Sequence, residues 1–205
     1  MNYKKAVYDG LESANHLEYN YKLGRYQPKF RITEVFKNLL SVEDGYCIEI
    51  GAGYGETTVK LLNQVKNYKI IVIDPFEDGW DNMPESYGNP YPFWLFQINI
   101  KKYFNKVILI KKSSNDLSVI DELTQYTPII FSFVDGLQYT DNVLYDLNMM
   151  DKLNCKVICV DDYNRLTNIS QVPLAIEEFI KNNKNYDVVY QNDNKEIYLV
   201  RNEKN

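Results

Sequence analysis

Histidine, cysteine and tryptophan are scarce: the 205 residues include one His, 3 Cys and 2 Trp. Cys47, Cys155 and Cys159 are odd in number, sit in apolar surroundings and lack zinc-type spacing, so buried reduced thiols are expected rather than a disulfide framework or a zinc site. No apolar run is long enough to span a bilayer, and the opening MNYKKAVYDGLES lacks the apolar core of a signal peptide; a cytoplasmic protein with no membrane partner is expected. Arginine-rich stretches are missing too. Lysines are spread along the chain and the net charge is -5, which leaves no basic face to displace counterions from phosphates and argues against a nucleic-acid partner. Repeats and low-complexity linkers are absent.

What is present is an apolar fraction of 45%, ample for a sizeable core. Short apolar runs alternate with helix-like segments. Strands are expected at Tyr46 to Ile50, Lys69 to Ile73, Val107 to Lys111, Ile129 to Val134 and Lys156 to Val160. Such runs are continuous rather than alternating, which suits strands covered by helices on both faces. A helix is expected around Thr57 to Val65 and another from near Asp141, with Val143, Leu147 and Met150 on one face. A further helix carries Val172, Ala175, Ile176, Phe179 and Ile180, with Ser170 as its cap and Pro173 in its first turn. The alternation implies an α/β, doubly wound, parallel sheet. At the C-terminus, Tyr186 to Tyr190 and Glu196 to Val200 are separated only by Gln191 to Lys195, too short for a parallel crossover, so they form an antiparallel hairpin. Residues 1–40 read as an N-terminal helical or lid segment, amphipathic at Ile32, Val35, Phe36 and Leu39, and residues 41–201 as the main domain.

Glu49-Ile50-Gly51-Ala52-Gly53-Tyr54-Gly55-Glu56 stands where the first strand turns into a helix. Glycines there permit a sharp turn and close approach by a ligand, and the helix N-terminus offers free N–H groups. The third glycine of a dinucleotide site would fall at position 56, which is Glu56, and a glutamate there repels a pyrophosphate. Asp74 closes the second strand, where an acid can accept hydrogen bonds from both ribose hydroxyls. The pair calls for a nucleoside without phosphates, and S-adenosylmethionine fits.

With EIGAGYGETT, VIDPF, FVDGLQYTDNVLYDL and VICVDDY, residues 40 to 200 resemble the class I S-adenosylmethionine-dependent methyltransferases, and more narrowly the macrocin-type sugar O-methyltransferases. The resemblance implies a seven-stranded, mostly parallel sheet of order 3-2-1-4-5-7-6 with one antiparallel strand from the terminal hairpin. It also implies that Glu49, Gly51, Ala52 and Gly53 line the methionine part of the cofactor, that Asp74 and Pro75 hold the ribose, and that Ser114 sits near the adenine. Gly55, Thr57 and Asp135 complete the expected cofactor set.

Asp135 follows the fourth strand, and Asp161 and Asp162 the fifth, whose ends lie side by side in a doubly wound sheet. Converging carboxylates repel one another unless a cation intervenes, and oxygen ligands suit magnesium or another hard divalent ion. Related sugar O-methyltransferases use such a trio, so Asp135, Asp161 and Asp162 are the expected metal ligands. A divalent ion would acidify an acceptor hydroxyl and orient its neighbour for in-line attack on the sulfonium methyl. Relatives commonly carry an acid or histidine soon after the Asp-Gly pair; here stand Leu137 and Gln138, and the one histidine, His16, is far upstream. Gln138 can orient a hydroxyl but is no base. Asp135, Gln138 and Asp162 are the catalytic candidates, with Asp141 or solvent as other proton acceptors.

The stretch from Pro75 to Pro92 is a long loop with Phe76, Trp80, Tyr87 and Tyr91, expected to be an acceptor lid. Tyr163 and Arg165 could meet an acceptor phosphate, and the Tyr19 to Tyr26 stretch could complete the lid or join a homo-oligomer. The expected activity is O-methylation of a small polyhydroxylated acceptor, a sugar or nucleotide-linked sugar. Three readings stay open beside it: a nitrogen or phosphoramidate-type acceptor, a nicotinamide-dependent oxidoreductase, and a cofactor-binding protein without turnover. The oxidoreductase is weakened by Glu56 and by the lack of any tyrosine with a lysine four residues on.

Overall fold

A computed structural model describes residues 2–20, 30–64, 68–76, 93–163, 171–191 and 196–202; for residues 15–20, 30 and 191 the description is limited to the backbone. Seven strands form one sheet: β1 (Tyr46–Ile50), β2 (Ile70–Ile73), β3 (Val107–Ile110), β4 (Ile129–Val134), β5 (Val157–Val160), β6 (Tyr186–Gln191) and β7 (Ile197–Arg201). Their order is β3-β2-β1-β4-β5-β7-β6, as expected. β1 to β5 pair in parallel, and β7 runs antiparallel to both β5 and β6.

Side chains alternate along each strand between two apolar layers. Cys47, Val72, Phe131, Phe133, Cys159 and Tyr198 face the layer of α1 (Tyr3–Asn20), α2 (Phe30–Leu40), α3 (Glu56–Gln64) and α4 (Phe93–Ile100). Ile48, Ile50, Ile73, Val134, Val160 and Leu199 face α5 (Leu117–Leu123), α6 (Thr140–Lys152) and α7 (Val172–Asn182). Burial on both faces is the physical reason for unbroken apolar runs in the strands. The three cysteines are free and buried, as expected, and burial pushes the Cys155 thiol up to about 12.

α2 sends Ile32, Val35, Phe36 and Leu39 into the core, and the Phe36 ring lies 5.5 Å from that of Phe131 on β4. α1 lies on α2 at close range: a Cβ at Gly10 would fall 2.6 Å from the Val35 Cα. Residues 21–29, with part of the Tyr19 to Tyr26 stretch, lie outside the described residues, as does Ser170. α7 is entered from Gln171 with Pro173 in its first turn. Among the described residues no helix is long and apolar enough to cross a membrane.

Candidate active site

The strands β1, β2, β4 and β5 deliver their carboxyl ends to one edge of the sheet, where β1 begins the sharpest turn. Gly51 has φ 82°, and a Cβ there would lie 2.2 Å from the Asp135 carbonyl oxygen and 2.7 Å from the Gly136 Cα. Glycine is therefore required twice, by the sign of φ and by the approach of the β4 exit. Gly55, φ 80°, is similarly pressed by the Phe96 ring, 2.8 Å from its would-be Cβ. Ala52 and Gly53 are half-buried, and Thr57 is buried in the first turn of α3. Glu56 opens α3 and is held by Lys60 at 2.5 Å.

Glu49 is fully buried on β1, where its Oε2 accepts from Thr58 Oγ at 2.5 Å. It thereby roots α3 beneath the turn. The pattern of an acid two residues before the first glycine marks the position, but the Thr58 partner nine residues on was not legible in it.

Asp74 closes β2 and binds the turn directly. Its Oδ2 accepts from the backbone N–H groups of Ala52 (2.8 Å) and Gly53 (3.0 Å), and its Oδ1 from that of Phe76 (2.8 Å). A carboxylate offers about four lone-pair sites, so roughly one remains for a ribose hydroxyl. Pro75 follows half-buried. Phe76 then takes a left-handed φ of 48°, a strained value for a bulky side chain, and is held there by rings of Phe93 and Phe96 at 5.0 and 4.9 Å.

Across the crevice, Asp135 N–H donates to the Ile50 carbonyl at 2.9 Å and Asp161 N–H to the Val134 carbonyl at 3.0 Å, which fixes the exits of β4 and β5 side by side. Asp135 is half-buried; Asp161 and Asp162 are buried, and Asp162 has φ 55°. The Gln138 amide Nε2 donates to Asp162 Oδ2 at 2.6 Å. Gln171, missed in the sequence, clamps this loop: its N–H donates to the Gln138 carbonyl at 2.7 Å, and its Oε1 accepts from Thr140 N and Oγ at 3.2 and 2.8 Å. Glu196 was missed as well. It is buried, and the register Val160↔Ile197 makes Asp161 and Glu196 the next positions beyond the ladder.

Asp135, Asp161 and Asp162 come from adjoining exits but do not converge: among the described residues no three acidic, histidine or cysteine side chains could together hold a metal ion. The Gln138 amide donates to the Asp162 carboxylate. The expected magnesium ligand set is thus not assembled by this arrangement. Asp141 is exposed in the first turn of α6.

Ser114 lies half-buried in the loop between β3 and α5, and Asp146 is a buried acid on α6. Trp80, Tyr87, Tyr91 and Arg165 lie outside the described residues, so the expected lid and phosphate contact do too; Tyr163 is half-buried. A cavity of about 450 Å³ lined by Asp44, Tyr46, Tyr68, Lys69 and Pro128 lies at the entry of β1, the opposite end from the glycine turn.

The sheet order, the glycine turn and the acid closing β2 define the fold of the class I methyltransferases. No protein-family model matches the chain, and no curated protein matches it in sequence. Solved structures do. The Bacillus cereus O-methyltransferase in complex with S-adenosylhomocysteine shares 15% identity over 94% of this chain and 91% of its own, with a TM-score of 0.59. TomG, an O-methyltransferase from Streptomyces achromogenes involved in tomaymycin synthesis and solved with S-adenosylmethionine, shares 14% over 94% and 90%, with a TM-score of 0.55. CalS11, a TDP-rhamnose 3'-O-methyltransferase of calicheamicin biosynthesis, shares 12% over 94% and 93%, with a TM-score of 0.58.

Proposed function

We propose that the chain is an S-adenosylmethionine-dependent O-methyltransferase whose acceptor is a small polyhydroxylated molecule of the sugar class. The observation that carries this reading is the Asp74 carboxylate bound to the Ala52 and Gly53 N–H groups. A carboxylate so placed fills the turn with negative charge. It repels a pyrophosphate and suits a cationic sulfonium nucleoside. The sugar-class acceptor is supported by the likeness to CalS11 in fold and by the sequence motifs around Asp135 and Asp161.

The reaction is an in-line displacement: the acceptor oxygen bonds to the sulfonium methyl, the carbon–sulfur bond breaks, and its electron pair stays on sulfur as S-adenosylhomocysteine leaves. The hydroxyl proton must go to a base. In this reading Asp162 takes it, with Gln138 holding the carboxylate through its amide and Gln171 holding the loop that carries Gln138. General-base help of this kind contributes roughly 10²–10⁴-fold.

Isothermal titration with S-adenosylhomocysteine and, separately, NAD tests the cofactor. Binding of the first and not the second is expected; the reverse would overturn the methyl-donor reading. Product detection against a panel of nucleotide-linked sugars then tests the acceptor. Asp162→Asn should lower kcat by at least about a hundredfold with unchanged S-adenosylhomocysteine affinity, and an unchanged kcat would remove Asp162 from the mechanism.

A further inference from the structure

Six of the eight residues of α4 are apolar, a composition that suits a helix enclosed by protein. It is not enclosed. Its inward face is made by Phe96 and Ile100, and by Tyr103 of the 3-10 helix Lys101–Lys106 that continues it, all buried. Its outward face carries Trp94, Ile98 and Phe104, which are 56%, 58% and 70% exposed. With Lys101 between the last two, these residues stand at i, i+4, i+7 and i+10, the spacing of one helical face. A single exposed apolar residue needs no explanation, but a row of three does.

The charge around the row is equally uneven. Residues 93–115 hold five lysines and none of the 28 acidic residues, in a chain whose net charge is -5. Lys112 is taken by Glu122 on α5. Lys101 and Lys102 are exposed beside the row, Lys102 with its ammonium 4.6 Å from the centre of the Tyr103 ring. Lys111, exposed at the exit of β3, lies 4.8 Å over the Phe93 ring and so reaches the start of the same helix. Cations thus bracket the row at both ends: lysines that are spread along the sequence are gathered here by the fold. The helix also borders the crevice, since Phe96 presses on Gly55 and Asn99 Nδ2 donates to the Tyr54 carbonyl of the glycine turn at 2.8 Å.

We propose that this face of α4 docks the protein on an anionic lipid bilayer, with Trp94, Ile98 and Phe104 entering the headgroup layer and the lysines meeting lipid phosphates, so that the crevice opens beside the membrane surface. Charge and shape select this occupant. A second copy placed by a two-fold axis would set lysines against lysines. A single-stranded nucleic acid wants a groove for its backbone and ring platforms for successive bases, and the aliphatic Ile98 at the centre of a convex helix offers neither. A headgroup layer accepts a convex apolar row, tryptophan settles at its boundary, and lysines lay their stems on apolar surface while the ammonium stays in water. Such binding is peripheral and needs no spanning helix. It departs from the expectation of no membrane partner, which rested on spanning segments and signal peptides alone. It goes beyond the methyl-donor reading and does not depend on it.

Vesicle flotation of the full chain tests this. Vesicles of phosphatidylcholine and phosphatidylglycerol in equal parts should carry the protein, and pure phosphatidylcholine should bind it at least about tenfold less. Lys101→Glu with Lys102→Glu should weaken binding to the mixed vesicles by about tenfold or more. Trp94→Ser with Ile98→Ser and Phe104→Ser should weaken it as much. All five side chains are exposed, so melting temperatures should stay native and show that both variants fold; the lysine variant alone decides if the serine variant does not. No binding to the mixed vesicles, or binding that the folded variants retain, overturns the proposal. So does an oligouridylate that displaces the vesicles, which would make the face a nucleic-acid site, or a dimer in sedimentation that the serine variant breaks, which would give it to a second copy. Each of these results leaves S-adenosylhomocysteine binding, and the methyl-donor reading with it, to its own titration.

Discussion

At the scale of single residues, Gly51 and Asp146 make opposite demands. Gly51 tolerates nothing larger, since any Cβ meets the Asp135 carbonyl oxygen at 2.2 Å in a left-handed backbone. Gly51→Ala should destabilise the fold by roughly 1–3 kcal/mol and abolish S-adenosylhomocysteine binding, read by urea titration and calorimetry; native-like affinity would show that the turn can relax. Asp146 is held up at about 7 by burial, with Ser114 pulling it down, against an ordinary 3.8. The native state thus binds this proton more tightly than the unfolded chain. The resulting stability is full below the unfolded value and is lost as pH rises through about 7. Asp146→Asn should remove that slope, so its urea midpoint should gain on the native protein between acidic and mildly alkaline pH. Parallel curves would contradict it. Gly51 and Asp74 were legible because their meaning is local: a glycine after an apolar strand, an acid at the end of the next. Asp146 breaks the apolar stripe of Val143, Leu147 and Met150, and the depth of its burial depends on packing that no spacing rule discloses.

Among elements, strands were the most legible. All seven were found to within a residue at each end, because burial on both faces writes each as a short apolar run bounded by polar residues. α4 escaped, since Phe93–Ile100 is apolar all round and carries no helical stripe. The joint between β1 and β2 is the element-level feature that function depends on. Asp74 holds three backbone N–H groups across two strand exits, so Asp74→Ala should free all three at once. We expect a loss of roughly 1–3 kcal/mol, with faster amide exchange at Ala52, Gly53 and Phe76 and at least a tenfold weaker S-adenosylhomocysteine affinity. Unchanged exchange at those amides would show the joint to be held by other contacts. Strand order rightly makes the β4 and β5 exits neighbours, but whether side chains converge depends on backbone angles such as the φ 55° of Asp162 and on the Gln138 amide, neither of which residue types disclose.

For the molecule as a whole, cofactor binding should report through stability. A ligand present at 100 times its Kd and bound only by the native state adds about 2.7 kcal/mol. In a chain of this size that corresponds to a rise in Tm of about 5–10 °C. S-adenosylhomocysteine should give it and NAD should not; a rise with NAD alone would redirect the functional reading. The last feature to consider is β7, which runs between β5 and β6 and not along an edge. Vectorial synthesis must therefore leave the outer side of β5 open until residue 201 has emerged, and only then can β7 slide in against it. Ribosome-bound chains stopped before Ile197 should stay protease-sensitive at β5 and bind chaperones, while chains extended past Arg201 by a tunnel-length linker should become resistant.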